Sequence, residues 1–249
     1  MNIINTQAFV LKKKDSGETS YIVHLFTLEL GKIIVIAKGA RTNKSKFRGM
    51  FEQFSLINIH VNYKDGRPYH FINSAEYIEP FWKLKNDPLS VLYSSIITEI
   101  IYRTQYFYSD KSIFKLVNAV FIEMNNLTIS PQYLQWYFVL HFLRINGFGF
   151  NLQNCNHCNA VLESGKISTK NGYMLCENCS KNIETNLEFN REILDIFRFI
   201  EKKHPKKMIE IKCNKITKNK IDEIIWTTLK IHYDNLSHLN SVKTLKKMM

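Results

Sequence analysis

Four cysteines stand as two Cys-x-x-Cys pairs, Cys155 with Cys158 and Cys176 with Cys179, separated by seventeen residues. Each pair places two sulfurs on one tight turn, so a tetrahedral ion takes two ligands from each side. Thiolates are soft donors suited to zinc, and four of them close the shell, leaving no open position for catalysis. The spacing therefore points to one structural Zn2+. An iron–sulfur cluster and a redox disulfide are the other chemistries it allows. His157 lies inside the first turn, but four sulfurs already suffice, and it reads as a surface residue. Cys213 stands alone in a basic segment and reads as an ordinary thiol. Between the pairs Lys166 and Lys170 are matched by Glu163 and Glu177. That balance suits a module that staples neighbouring structure more than one that grips a polyanion.

A second constellation is cationic. Lys38, Arg41, Lys44, Lys46 and Arg48 fall within eleven residues that hold no acid, with Gly39 and Gly49 toward the ends. Closely spaced cations on an adaptable loop can follow phosphates and release counterions, which makes these five the candidate DNA-binding residues. Phe47 interrupts the run and either stacks on a base or folds back onto a core. A further basic stretch, Arg198 to Lys220, reads equally as an extension of that track or as a charged linker. Acidic residues are scattered, so a metal-dependent nuclease site is not indicated. Asp15, Glu18 and His24 lack a nucleophile-and-base arrangement and read as surface. No catalytic residue is assigned, and the chain is not expected to be an enzyme.

The chain has 249 residues, of which 45% are hydrophobic, and a formal net charge of +12. Such an apolar fraction belongs to a folded protein, and the charge favours a polyanionic partner, nucleic acid first. No run approaches the roughly 18 apolar residues of a membrane span, and the N-terminus lacks the pattern of a signal peptide. A cytoplasmic location is expected, where thiols stay reduced.

The elements that must position these residues fall in two blocks. Alternating segments at 8–11, 19–26, 32–37, 54–63 and 67–77 read as five strands, with turns at Asp15-Ser16-Gly17, Leu30-Gly31-Lys32 and Lys64-Asp65-Gly66. Five strands in this length suit a small closed barrel. The OB-fold is the usual solution and the SH3-like barrel its competitor. After Pro80 the apolar period becomes helical. Three helices are expected between about 88 and 146, with Pro88 and Pro131 at helix starts, and two more at 188–203 and 220–235. The fold class is therefore α+β: a barrel domain at 1–79, then a helical domain at 80–249 with the cysteine segment inserted at 151–181.

Gly17-Glu18, Leu25-Phe26-Thr27 and Glu29-Leu30-Gly31, followed by Ala37-Lys38-Gly39-Ala40-Arg41, Lys44-Ser45-Lys46, Arg48-Gly49 and Glu52-Gln53-Phe54, resemble the start of RecO proteins. Asn146-Gly147-Phe148-Gly149-Phe150 resembles the glycine-rich phrase that precedes a four-cysteine zinc finger in many members. The resemblance runs in order from about residue 3 to 180. The last seventy residues share only helical character. It implies an N-terminal OB-fold, a helical domain and a zinc finger whose four ligands are the paired cysteines. It also implies a recombination mediator acting in the RecF pathway of repair, cytoplasmic and nucleoid-associated. Such a protein would bind single- and double-stranded DNA, anneal strands, and cooperate with RecR. It would contact the acidic C-terminal tail of single-strand-binding protein, and so help load recombinase on coated strands.

The competing classes are an enzyme and a pure protein-interaction scaffold built on the same barrel and zinc. Salt-dependent DNA binding and a hydrolysis assay separate them. A docking site for an acidic tail is expected in the helical domain, where Tyr102, Tyr106, Phe107, Tyr137 and Phe142 supply aromatic surface, although most of these should be core.

Overall fold

The computed structural model describes residues 2–105, 108–182, 185 and 187–248, without the side chain of residue 246. Tyr106 and Phe107 lie outside the described residues. Five strands, β1 (Asn2–Ser16), β2 (Ser20–Thr27), β3 (Gly31–Ala37), β4 (Leu56–Tyr63) and β5 (His70–Glu79), form a closed barrel in the order β1-β2-β3-β5-β4. All pairs are antiparallel except β3 with β5, where Val35 faces His70 and Ile36 faces Phe71. This is the OB-fold topology.

Strand β1 begins earlier than its apolar run because it pairs on both sides, with β2 and with β4. A register shift between Val10 and Lys12 bends it around the barrel. The period of two sends Ala8, Val10, Val23, Leu25, Ile33, Val35, Ile57, Ile59 and Val61 into the interior, where none exceeds 1% exposure. Phe47 and Phe51, from the segment after β3, belong to the same core.

On the opposite face of β1 Phe9 and Leu11 are buried too. Phe9, Phe26 and Phe54 meet Phe114 and Phe121 of α3 (Lys111–Asn126) at ring separations of 5.0–6.1 Å. Helices α1 (Trp82–Asn86) and α2 (Pro88–Thr104) precede α3. Asp87 caps α2 by accepting from the Ser90 amide at 2.8 Å, and Pro88 sits in its first turn. At the far end of the sequence α7 (Asn240–Met248) returns to this body. The Ser241 amide and hydroxyl donate to Glu99 of α2 at 2.9 and 2.7 Å. The first compact unit therefore runs to Asn125 and takes in the chain from Ser241 onward.

The second unit spans Asn126–Asn240. Its centre is α4 (Pro131–Ile145), with residues 132–140 buried on every side. Around it lie a small sheet in the order β7-β6-β8, from β6 (Gly165–Ile167), β7 (Met174–Cys176) and β8 (Glu188–Phe189), then α5 (Arg191–Lys202) and α6 (Lys215–His232). Helix α6 starts five residues before its apolar period suggests. Asn214 caps it by accepting from the Thr217 amide at 2.9 Å. The partly buried Asp222 carboxylate ties α6 to α4, accepting from the Trp136 indole at 2.6 Å and Gln132 at 2.8 Å. The stretch from Arg198 to Lys220 is thus folded structure, comprising the end of α5, a 3-10 turn at Pro205–Glu210 and the start of α6.

Candidate metal centre and nucleic-acid interface

The two cysteine pairs sit on matching turns. The Asn159 amide donates to the Cys155 carbonyl and the Ser180 amide to the Cys176 carbonyl, both at 3.0 Å. Asn159 turns the first chain with φ +60°, a conformation asparagine tolerates better than most residues. Asn156 holds the turns together: its amide donates to the Met174 carbonyl at 3.0 Å, and its side chain accepts from the Met174 amide at 3.1 Å. Gly165 crosses the same place with φ +154°, and a Cβ there would come within 1.9 Å of the Leu175 carbonyl oxygen. Only glycine lets β6 lie against β7 at that point.

These contacts bring the four sulfurs within 4.8 Å of one another, Cys158 and Cys176 at 3.7 Å. Tetrahedral thiolates bonded to zinc at about 2.3 Å stand about 3.8 Å apart, so the cluster is sized for such an ion. The electrostatics agree. Burial raises the Cys155 thiol, but amides of Cys158, Cys176 and His157 outweigh it and hold the group down at about 6. Hydrogen bonding with Cys158, desolvation and the remaining sulfurs push Cys179 up to about 12. Without a cation the sulfurs cannot all ionise; a divalent ion removes that conflict. His157 is not one of the clustered ligands, yet its Nδ1 lies 3.6 Å from the Cys179 sulfur. This outer contact was missed because a sequence-local reading saw only four ligands already supplied.

Helix α5 supports the module. Arg198 donates to the carbonyls of Leu152 and Leu162 at 3.0 and 3.2 Å, and Arg191 pairs with Glu163 at 3.1 Å. Arg198 is therefore a structural brace and not an open cation of a basic track.

The cationic run after β3 is a chain of consecutive turns, with amides of Thr42, Ser45 and Arg48 each donating to the carbonyl three residues back. All five cations are exposed, but they are not equivalent. Arg41 is latched to the β1–β2 turn, pairing with Asp15 at 3.0 Å and donating to the Gly17 carbonyl at 3.0 Å. Lys46 donates to the Asn73 carbonyl. Lys38 lies 4.7 Å from the Phe71 ring centroid. Lys44 and Arg48 carry no ion pair among the described residues. Phe47 is 4% exposed and packs on Phe51 at 5.6 Å, so it anchors the turns from inside and does not present a stacking face. Beside them, Lys13, Tyr21, Asn43, Arg48 and Glu52 line part of a hollow of about 210 Å3.

Asp15 is the partner of Arg41. His24 lies edge-on to Tyr102 at 5.2 Å, and burial followed by the ammonium groups of Lys12, Lys14 and Lys32 lowers its pKa, favouring the neutral ring. Among the expected docking aromatics Phe142 and Tyr137 are core, and Tyr102 rests beside Lys12 and Lys32. No described helix is long and apolar enough to cross a membrane.

An OB barrel with an exposed cationic turn run, joined in one chain to a helical unit with a four-cysteine module, defines the class of protein. Comparison with known families narrows it. Residues 1–81 match the family model described as Recombination protein O N terminal, and residues 85–241 match Recombination protein O C terminal. The chain belongs to the RecO family of DNA repair proteins. It is similar to the DNA repair protein RecO of Clostridium novyi, 32% identical over 73% of this chain and 71% of that one. It is also similar to that of Alkaliphilus metalliredigens, 25% identical over 99% and 100%, and that of Clostridium acetobutylicum, 28% identical over 98% and 99%.

Proposed function

We propose that the chain is a non-enzymatic recombination mediator that binds single- and double-stranded DNA through the barrel's basic turns. The observation that carries this reading is the exposed, acid-free run Lys38 to Arg48 on an OB barrel. Cations at that spacing neutralise successive phosphates without reading sequence. In this role it acts in the cytoplasm at the nucleoid, anneals complementary strands, cooperates with RecR and helps load recombinase on strands coated by single-strand-binding protein. The four cysteines hold one structural Zn2+ that supports the second unit.

The acidic tail of single-strand-binding protein fits a hollow of about 560 Å3 within the second unit. Phe189, Ile193 and the exposed Ile216 supply apolar wall, and Lys166, Lys181 and Lys220 supply charge. Two carboxylates share that wall: Glu188 is offset by Lys166 at 3.6 Å and Lys220 at 4.0 Å, and Glu177 accepts from the Ser164 hydroxyl at 2.6 Å. The decisive experiment measures single-strand binding and annealing at several salt concentrations, with and without single-strand-binding protein. Affinity must fall linearly with salt on logarithmic axes. A barrel that binds only protein would show no such DNA affinity.

A further inference from the structure

Trp82 is 54% exposed, whereas Trp136 is fully buried and Trp226 half-buried. An exposed indole is an uncommon use of the largest apolar side chain, and its surroundings are specific. The preceding residue, Phe81, is 0% exposed, meets Phe121 at 5.9 Å, and takes φ +54°. The Lys85 amide donates to the Phe81 carbonyl at 3.1 Å. One residue is thus clamped in the core and the next is held outward on a fixed turn.

That turn adjoins the cationic run. Tyr77 donates its hydroxyl to the Gly49 carbonyl and meets the Trp82 ring edge-on at 6.2 Å. The Lys85 ammonium lies 4.8 Å from the indole centroid and donates to Ser55 at 2.6 Å. Lys13 pairs with Glu52 at 2.6 Å in the same stretch. A cation sits over the indole, an aromatic edge supports it, and more than half of its surface stays open to solvent.

We propose that Trp82 is a stacking platform for one nucleobase of a single strand whose phosphates follow the turns from Lys38 to Arg48. The inference rests on the DNA-binding reading above and adds a preference at this point for single strands. A base in a duplex is already stacked on its neighbours, whereas a base in a single strand is available to an aromatic face. Phe47 cannot serve, because it is buried. Trp82 makes contact through its ring and neutralises no phosphate, so it adds affinity without adding salt dependence.

The test uses the full chain with oligothymidylate and, separately, a matched duplex. The difference in emission between the native chain and Trp82→Phe isolates the Trp82 signal, which oligothymidylate should quench. Trp82→Ala should weaken oligothymidylate binding by roughly 5- to 150-fold. Trp82→Phe should restore most of the loss. The salt slope and the duplex affinity should stay unchanged. A native chain that binds with a normal salt slope while Trp82 is neither quenched nor needed overturns this inference alone. A native chain that binds neither DNA at low salt overturns the DNA-binding reading, and this inference with it. Equal losses for single strand and duplex also overturn the stacking role. If Trp82→Ala does not fold, the quenching of the Trp82 signal by oligothymidylate decides, and its absence overturns the inference.

Discussion

Cys176 and Asp222 show how single residues carry the second unit. Cys176 is both an expected ligand and the end of β7, so replacing it removes a donor and loosens the sheet at once. Cys176→Ser should lower bound zinc from one per chain to none by elemental analysis. It should leave the barrel's DNA affinity near the native value once the protein is folded. Asp222 is partly buried, and desolvation raises its pKa against the opposing hydrogen bonds from Trp136 and Gln132. A carboxyl raised in the folded state binds more protons there than in the unfolded chain. Its contribution therefore declines as pH rises from the ordinary aspartate value through the raised one. Asp222→Ala leaves the Trp136 indole without its acceptor and should cost about 1–3 kcal/mol. Asp222→Asn keeps an acceptor and removes the partly buried charge, so it should lose much less, with a flatter pH profile in that window. Denaturant unfolding at several pH values checks both.

Among the elements, the turn segment after β3 and the hairpin β6–β7 carry the sharpest expectations. Arg41 braces the β1–β2 turn, whereas Lys44 and Arg48 project from the run. Replacing Lys44 and Arg48 together should lower the single-strand salt slope by about 1.4 if each neutralises one phosphate. Arg41→Ala should lower the melting temperature as well as the affinity, because it also unlatches the hairpin turn. Comparing slopes and melting curves separates the two roles. At the other site, Gly165→Ala places a methyl group against the Leu175 carbonyl. It should disrupt β6–β7 and release zinc to a chelator faster than the native chain does, even though every cysteine remains. In the hollow of the second unit, Ile216→Asp and Lys220→Glu should each weaken a tail peptide measured by fluorescence anisotropy, with DNA affinity unchanged.

At the scale of the whole molecule the chain divides its work between two compact units. The first places a cationic run on a barrel whose Phe9 and Phe26 pack outward against the phenylalanines of α3. The second braces a four-cysteine module with α5. The non-enzymatic reading proposed above predicts that incubation with DNA and magnesium or manganese yields no cleavage products, and among the described residues the cluster able to hold a metal is the four cysteines. Chelating the metal should expose the second unit to limited proteolysis before the first, since the barrel core makes no use of those ligands.

The sequence by itself determined what local chemistry and period can specify. The paired cysteines marked the four sulfurs that cluster because a Cys-x-x-Cys turn is a short-range structure. The alternation in β2, β3 and β4 named the barrel's inner residues because side chains along a strand alternate in direction. The cationic run was equally visible. The tertiary structure decided what depends on contacts between distant segments. Closure as an OB barrel rests on the parallel pairing of Val35 with His70, which no periodicity encodes. Arg41 was drawn to Asp15, Arg198 to two carbonyls and Phe47 into the core because folding brought those partners near. Trp82 faces outward because Phe81, its neighbour, is held inside by Phe121. In each case the residue type was legible in advance, and its role depended on which distant group desolvated it or bonded to it.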